Sequence, residues 1–230
     1  MEHKPSREPA EFDAHASDYE AKVQASLPES FSEGDYFSRY KVCAVAASQK
    51  GKTPQTILDF GCGVGLALRL FSEFFPKANL WGYDLSPASL EQARQRVPSA
   101  ELTASVDDLR EGFFDIIFIA NVLHHVPVDE RLLVMKTCAK LLKRGGQIYV
   151  FEHNPYNPVT RRVFERCPFD KGAQMLPPHR VRELAASAGL SIVTGRYTLF
   201  FPKPLAIFRP LELMLGWLPL GAQYCVELTK

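Results

Sequence analysis

What this sequence lacks narrows its class before any motif is read. It has no excess of one charge: 27 Lys and Arg stand against 26 Asp and Glu, a net of +1. Wholesale neutralisation of phosphates, the basis of non-specific nucleic-acid binding, therefore has no source, and no nucleic-acid partner is expected. A membrane-spanning run is missing too. The longest uncharged stretch in the apolar C-terminal third, Leu213 to Val226, has 14 residues, and Pro202, Pro204, Pro210 and Pro219 interrupt the region. A spanning helix needs about 20 apolar residues. The five cysteines (Cys43, Cys62, Cys138, Cys167, Cys225) form no C-x-x-C pair and are odd in number. That argues against both a zinc site and a disulfide framework, and no metal is expected. The N-terminus, MEHKPSREPAEFDAH, carries no apolar segment of a secretory leader, so a cytoplasmic setting with reduced thiols is expected. No internal repeat or low-complexity tract is present.

What remains is an ordinary globular composition, 46% hydrophobic and 23% charged, on a chain long enough for one domain. Residues 8–50 read as two helices divided by Pro28 and Gly34, a helical N-terminal cover over residues 1–54. From residue 55 strands and helices alternate. TILDF (56–60), NLWGYD (79–84), a short strand near 100–104, FDIIFIA (114–120) and QIYVFE (147–152) are separated by helices over 65–75, 87–96 and 129–142. Strands this apolar suit a parallel sheet covered on both faces. Pro177-Pro178 opens a further helix over 179–188 that Gly189 stops. Two strand-like runs follow, 191–200 and 222–229, with an apolar insertion at about 200–221 between them. The fold class is α/β: a doubly wound sheet, mostly parallel, with an antiparallel C-terminal hairpin.

The first strand runs into Asp59-Phe60-Gly61-Cys62-Gly63-Val64-Gly65 and then a helix. Glycines let the backbone turn sharply and approach a ligand closely, and the helix start offers unpaired N–H groups. At the end of the second strand, 19 residues after Gly65, stands Asp84. A carboxylate there can accept hydrogen bonds from both ribose hydroxyls of an adenosine. A tight turn alone would explain the glycines; the full order of strand, turn, helix, strand and acid is far more specific.

The spacing G-x-G-x-G with an acid two residues earlier resembles the class I S-adenosyl-L-methionine-dependent methyltransferases, Rossmann-like enzymes that take small acceptors among other substrates. A dinucleotide turn would instead read G-x-G-x-x-G and seat a pyrophosphate. The resemblance covers residues 12–152 by motif and the rest by element order. It implies that Asp59, Gly61, Gly63 and Gly65 frame the methionine part of the cofactor, that Asp84 holds the ribose and that Leu85 packs on the adenine. Ser105 and Val106 fall where the family contacts the adenine, although the usual aspartate is replaced by Ser105, with Asp107 and Asp108 close by. Asn121-Val122-Leu123-His124-His125-Val126 matches the stretch beneath the transferring methyl, and Leu142-Lys143-Arg144-Gly145-Gly146 the turn before the fifth strand. Tyr19, in a helix resembling the family's cofactor cover, reaches toward the ligand's carboxylate, and Tyr36, Tyr40 and Lys41 face the substrate side or simply pack the helix.

Methyl transfer from a sulfonium needs a positioned nucleophile and little water; an oxygen nucleophile also benefits from a base. His125 and His153 are the candidate bases, ahead of His124, because they follow strands whose carboxyl ends carry the ligand in such sheets. One of two adjacent histidines must point away from a cleft. Glu152 can orient a histidine. The insertion, Phe200 to Leu218, offers an apolar wall for a lipophilic or lipid-linked acceptor and peripheral membrane contact, unless it packs into the core or between subunits. A binding module without catalysis and a nicotinamide-dependent oxidoreductase are the alternatives to methyl transfer, most plainly to oxygen. A nucleic-acid methyltransferase would show N-P-P-[YF] where this chain has Asn121-Val122-Leu123-His124.

Overall fold

The computed structural model describes residues 36–230; the first expected helix and Tyr19 lie outside the described residues. The described chain begins with α1 (Tyr36–Ser48), followed by β1 (Thr56–Phe60), α2 (Leu66–Phe74), β2 (Asn79–Tyr83), α3 (Pro87–Arg96) and β3 (Glu101–Thr103). Next come β4 (Phe114–Ala120), α4 (Arg131–Leu141), β5 (Leu142–His153), α5 (Pro158–Arg166) and α6 (Pro178–Ser187). It closes with β6 (Ser191–Thr198), α7 (Glu212–Leu215) and β7 (Gln223–Thr229). All seven strands form one sheet in the order β3-β2-β1-β4-β5-β7-β6. β1 to β5 run parallel, and β7 lies antiparallel between β5 and β6. This is the expected doubly wound, Rossmann-like sheet with its C-terminal hairpin.

Strand periodicity divides the core into two layers, because successive side chains leave a sheet on opposite faces. Leu58, Ile117, Ile119, Ile148 and Val150 pack on one face with Met135 of α4 and Val181 of α6. Ile57, Ile116, Phe118, Tyr149 and Phe151 pack on the other with Val42 and Val45 of α1 and Leu68 and Phe71 of α2. The strand order reverses between β1 and β4, so the loops leaving those two strands diverge and open a crevice at their carboxyl ends.

Two boundaries differ from expectation. A helix, α5, opens at Pro158, in a stretch between the 147–152 strand and the 179–188 helix where no element was expected. Asn157 caps it by accepting the N–H of Val159 (2.9 Å) and of Thr160 (3.0 Å), and proline suits the first helical position. β5 begins at Leu142, which pairs with Phe114, before a register shift leads to the Gln147–Ile116 pair. Gly145 turns at φ 77° within that shift, and a Cβ on Gly146 would press on the Asp115 carbonyl at 3.0 Å. Among the described residues no helix is long and apolar enough to cross a membrane.

Candidate active site

The glycine turn closes on one hydrogen bond of its own, from the Gly65 N–H to the Cys62 carbonyl (2.9 Å), and is otherwise shaped by its neighbours. The N–H groups of Gly61 (2.7 Å) and Cys62 (2.9 Å) both donate to the Tyr83 carbonyl, which ties the turn to the end of β2. Gly61 sits at φ 81°, and a Cβ there would collide with Cγ2 of Val122 in the loop after β4. Gly65, also at φ 81°, leaves room for Ala93 of α3, which a Cβ would meet at 3.0 Å. Gly63 is different: at φ 50° a Cβ would find nothing within 4 Å. Among the described residues the tip of the turn is therefore left open.

Two carboxylates flank that space. Asp84, half-buried just past β2, accepts the Gly63 N–H through Oδ2 (2.8 Å) and the Ser86 N–H through Oδ1 (2.9 Å). Asp59, one residue before the end of β1, is 3% exposed. Burial, reinforced by the charge of Asp84 and only partly offset by Lys41, pushes the Asp59 carboxyl up to about 8. Burial likewise pushes the Lys41 ammonium of α1 down to about 8, against the attraction of Glu152 and Asp59. An acid raised by burial and a second acid is a site that a cationic ligand relieves. S-adenosyl-L-methionine, with a sulfonium, an ammonium and an adenosine, fits this pair and the open glycine tip.

The remaining expected cofactor contacts lie at the same end of the sheet. Leu85 is 46% exposed beside Asp84. Ser105 follows β3, exposed, and caps a short 3-10 turn by accepting the Asp107 N–H (3.3 Å), while Val106 packs against the core. Asp108 accepts the hydroxyl of Thr103 (2.5 Å), so it holds its own loop. Asn121 follows β4 at φ 58°, a left-handed conformation that asparagine tolerates better than most residues. Its Oδ1 accepts a hydrogen bond from Gln223 Nε2 (3.4 Å).

The loop after β4 is organised by Glu152, which is fully buried near the end of β5. Its Oε1 accepts the N–H groups of Val122 (3.1 Å) and Leu123 (2.7 Å), and its Oε2 lies 2.6 Å from His124 Nδ1. The other nitrogen of His124 lies 3.3 Å from Asp170 Oδ1. Burial by itself would lower the His124 pKa, but the carboxylates on both sides hold it up at about 9. For Glu152 and Asp170 burial is likewise overridden, by His124, and both stay below the usual carboxylate range. His124 is thus the member of the pair turned inward. His125 is the outward one, its side chain 20% exposed and its Nε2 3.5 Å from the same Asp170 Oδ1. His153 packs its ring against His124 (5.2 Å) and Phe164 (5.6 Å). Burial, then the positive charge of His124, pushes it down to about 4, so it is neutral at pH 7.

A roof completes the crevice. Thr198 and His153 both pair with Gln223, so the segment between β6 and β7 leaves the sheet at the carboxyl end of β5, beside Asn121. Within it the buried Glu212 accepts the N–H groups of Leu199 (3.2 Å), Phe200 (3.1 Å) and Phe201 (3.1 Å). The Tyr40 hydroxyl also bonds Glu212, and burial followed by that carboxylate pushes the phenol up. Arg209 lies 3.8 Å above the Tyr36 ring. The first turns of α1 are thereby clasped to the insertion. From Lys203 to Leu215 only Glu212 is buried, while Ile207 (83%), Leu213 (88%), Met214 (75%) and Trp217 (76%) stand exposed. Among the described residues these side chains do not pack into the core.

Asp170, Glu212 and Gln223 are site residues that the sequence did not mark. Asp170 lies 45 residues past His125, in a turn with no motif. Glu212 carried a usable signal: a lone acid in an apolar run must find donors if it is buried.

The fold is that of a Rossmann-like methyltransferase, and comparison with known proteins agrees on that class. Residues 58–150 match a family described as a methyltransferase domain. A ubiquinone biosynthesis O-methyltransferase from Coxiella burnetii is 31% identical over 179 residues, 68% of this chain and 72% of that protein. A malonyl-[acyl-carrier protein] O-methyltransferase from Legionella pneumophila is 34% identical over 121 residues, 49% of this chain. The chain spans 38% of the length of that relative and of a second of the same name. An S-adenosylmethionine-dependent methyltransferase structure from Archaeoglobus fulgidus superposes with a TM-score of 0.62 at 15% identity, over 85% of this chain and all of the other. The chain belongs to the S-adenosylmethionine-dependent methyltransferases, and S-adenosyl-L-methionine is the cofactor of that family.

Proposed function

We propose that this chain methylates an oxygen of a small lipophilic acceptor brought to the crevice from a membrane surface. The observation that carries this reading is the exposed apolar insertion, Ile207 to Trp217, in the segment that leaves the sheet at the carboxyl ends of β5 and β6. Two kinds of support stand beside it. Relatives similar to this chain are named O-methyltransferases. Thr198 Oγ1 and Gln223 Oε1 are buried under the roof with no hydrogen-bond partner among the described residues, which suits a polar group of the acceptor near Asn121.

The cofactor supplies an activated methyl on a sulfonium. Asp59 and Asp84 attract its positive end and its ribose, Gly63 lets the backbone approach, and Leu85, Ser105 and Val106 flank the adenine. Asn121 and His125 face the acceptor oxygen, His125 steered by Asp170. His153, neutral behind His124, keeps the floor of the crevice in place. The clasp of α1 to the insertion excludes water from the transfer.

The raised Asp59 carboxyl gives a pH dependence with a definite sign. Below about 8 it is protonated, and a cation prefers the ionised form. Binding of S-adenosylmethionine therefore releases a proton, and affinity rises with pH toward 8 by up to roughly tenfold per unit. Titration calorimetry at pH 6, 7 and 8 in two buffers of different ionisation enthalpy checks this; pH-independent affinity with no proton release would remove Asp59 from the site.

The membrane part has its own test. α5 adjoins the roof, since Asn157 Nδ2 donates to the Leu220 carbonyl, and it carries the exposed Arg161, Arg162 and Arg166. An apolar patch flanked by cations favours anionic lipid. The chain is expected to co-sediment with phosphatidylglycerol-containing vesicles, and Leu213→Glu with Trp217→Glu to reduce that at least fivefold without lowering thermal stability. Equal sedimentation of wild type and variant would remove the membrane reading and leave a soluble acceptor.

A further inference from the structure

We infer that His124, His125 and Asp170 form a binding site for one divalent transition-metal ion, zinc by its donor set, beside the acceptor. One ligand atom from each of His124, His125 and Asp170 lies within 4.8 Å of the other two. Two spacings among them are telling. His124 Nε2 lies 3.3 Å and His125 Nε2 3.5 Å from the same oxygen, Asp170 Oδ1. A tetrahedral zinc with bonds of about 2.0–2.1 Å separates neighbouring donor atoms by about 3.3–3.4 Å. A charge-assisted hydrogen bond would instead be about 2.7–2.9 Å. The neighbouring His124 Nδ1–Glu152 contact, at 2.6 Å, shows that short pairing is available where it is wanted. One carboxylate oxygen shared between two imidazole nitrogens at these lengths makes at best a long hydrogen bond to each, and the same spacing suits two ligand edges around one ion.

The surroundings have the form that such ions use. A metal-bound imidazole usually gives its second N–H to a carboxylate, which fixes the tautomer and the ring plane. Glu152 occupies that place on His124 Nδ1, fully buried and anchored by two backbone N–H groups. Glu152 and Asp170 bring two negative charges to this point, which a dication balances with both imidazoles neutral. Two nitrogens and one oxygen leave the fourth tetrahedral position open, as in catalytic rather than structural zinc sites. His125 is the less buried of the two histidines, so that position opens on its side, where the acceptor reading places the reacting oxygen. The ion would hold that oxygen and fix its direction. This last point rests on the acceptor reading above; the metal site itself does not.

The test is metal binding by the untagged chain after chelator treatment, with zinc titrated in competition with a chromophoric chelator. One equivalent is expected to bind. His125→Ala and Asp170→Asn should each weaken binding at least tenfold, and His179→Ala, altered at a histidine outside the cluster, should bind as wild type does. Cobalt(II) added to the wild-type chain should give the intense visible absorption of a tetrahedral site, a readout that holds even where a variant fails to fold. Absence of stoichiometric zinc, the weak absorption of octahedral cobalt, or undiminished binding by folded His125→Ala and Asp170→Asn would overturn the proposal. Binding of S-adenosylmethionine, measured on the same samples, reports separately on the methyltransferase reading.

Discussion

Glu152→Ala is expected to be the most damaging single change in the crevice, lowering stability by about 3–5 kcal/mol, a large part of the roughly 5–15 kcal/mol that holds a domain together. The carboxylate is fully buried and accepts two backbone N–H groups and the Nδ1 side of His124. Alanine leaves all three donors facing a cavity, with His124 still charged by Asp170. For a domain of this size that corresponds to a fall in melting temperature of about 10 °C. Glu152→Gln keeps the volume and one acceptor oxygen, so its effect is expected to be smaller but in the same direction. Thermal and urea unfolding of both variants check this. A loss under about 1 kcal/mol for the alanine variant would mean that the loop after β4 is held by something other than Glu152.

The second large effect belongs to the glycine turn. Gly61→Ala places a Cβ against Val122 in a backbone at φ 81°. The left-handed conformation costs about 1–2 kcal/mol for a residue with a Cβ, and forcing an extra methyl into a filled contact a further 1–3 kcal/mol. The combined loss should reach about 2–5 kcal/mol, with weakened cofactor binding because the turn is pushed off its position. A double mutant separates the two terms. Val122→Ala alone should destabilise, since it removes packing, yet in the Gly61→Ala background it should stabilise by relieving the collision. If Val122→Ala lowers stability equally in both backgrounds, the close approach of the two loops is not what requires glycine at this position.

These two positions show what a sequence displays and what it hides. The parallel strands were legible because strands covered on both faces must be apolar throughout; in TILDF every residue is buried, Thr56 and Asp59 included. The order of glycines and acids was legible because backbone conformation and charge at a turn are local properties. α5 was missed, although Asn157-Pro158 is a helix start, because the prolines on either side of Tyr156 read more simply as loop. The preference for His125 over His124 could be stated but not decided, since adjacency says only that one must turn inward. Glu152 makes that decision from 28 residues away and Asp170 from the far side, and contacts of that separation leave no trace in spacing. The clasp between Tyr40 and Glu212, which joins opposite ends of the chain, was hidden for the same reason. The exposure of the insertion was hidden for another. An apolar run reads alike whether it is buried or held out by one internal carboxylate that satisfies its backbone.

The most direct test of the central claim is titration calorimetry of the purified chain with S-adenosylmethionine, S-adenosylhomocysteine and NADH, repeated with Asp84→Ala. The two adenosyl ligands are expected to bind with roughly micromolar affinity and to lose at least tenfold in the variant, whose circular dichroism should remain that of the folded chain, while NADH gives no heat of binding. Failure of the folded wild-type chain to bind either adenosyl ligand, or equal affinity for NADH, would contradict the assignment of the glycine turn, Asp59 and Asp84 to S-adenosylmethionine.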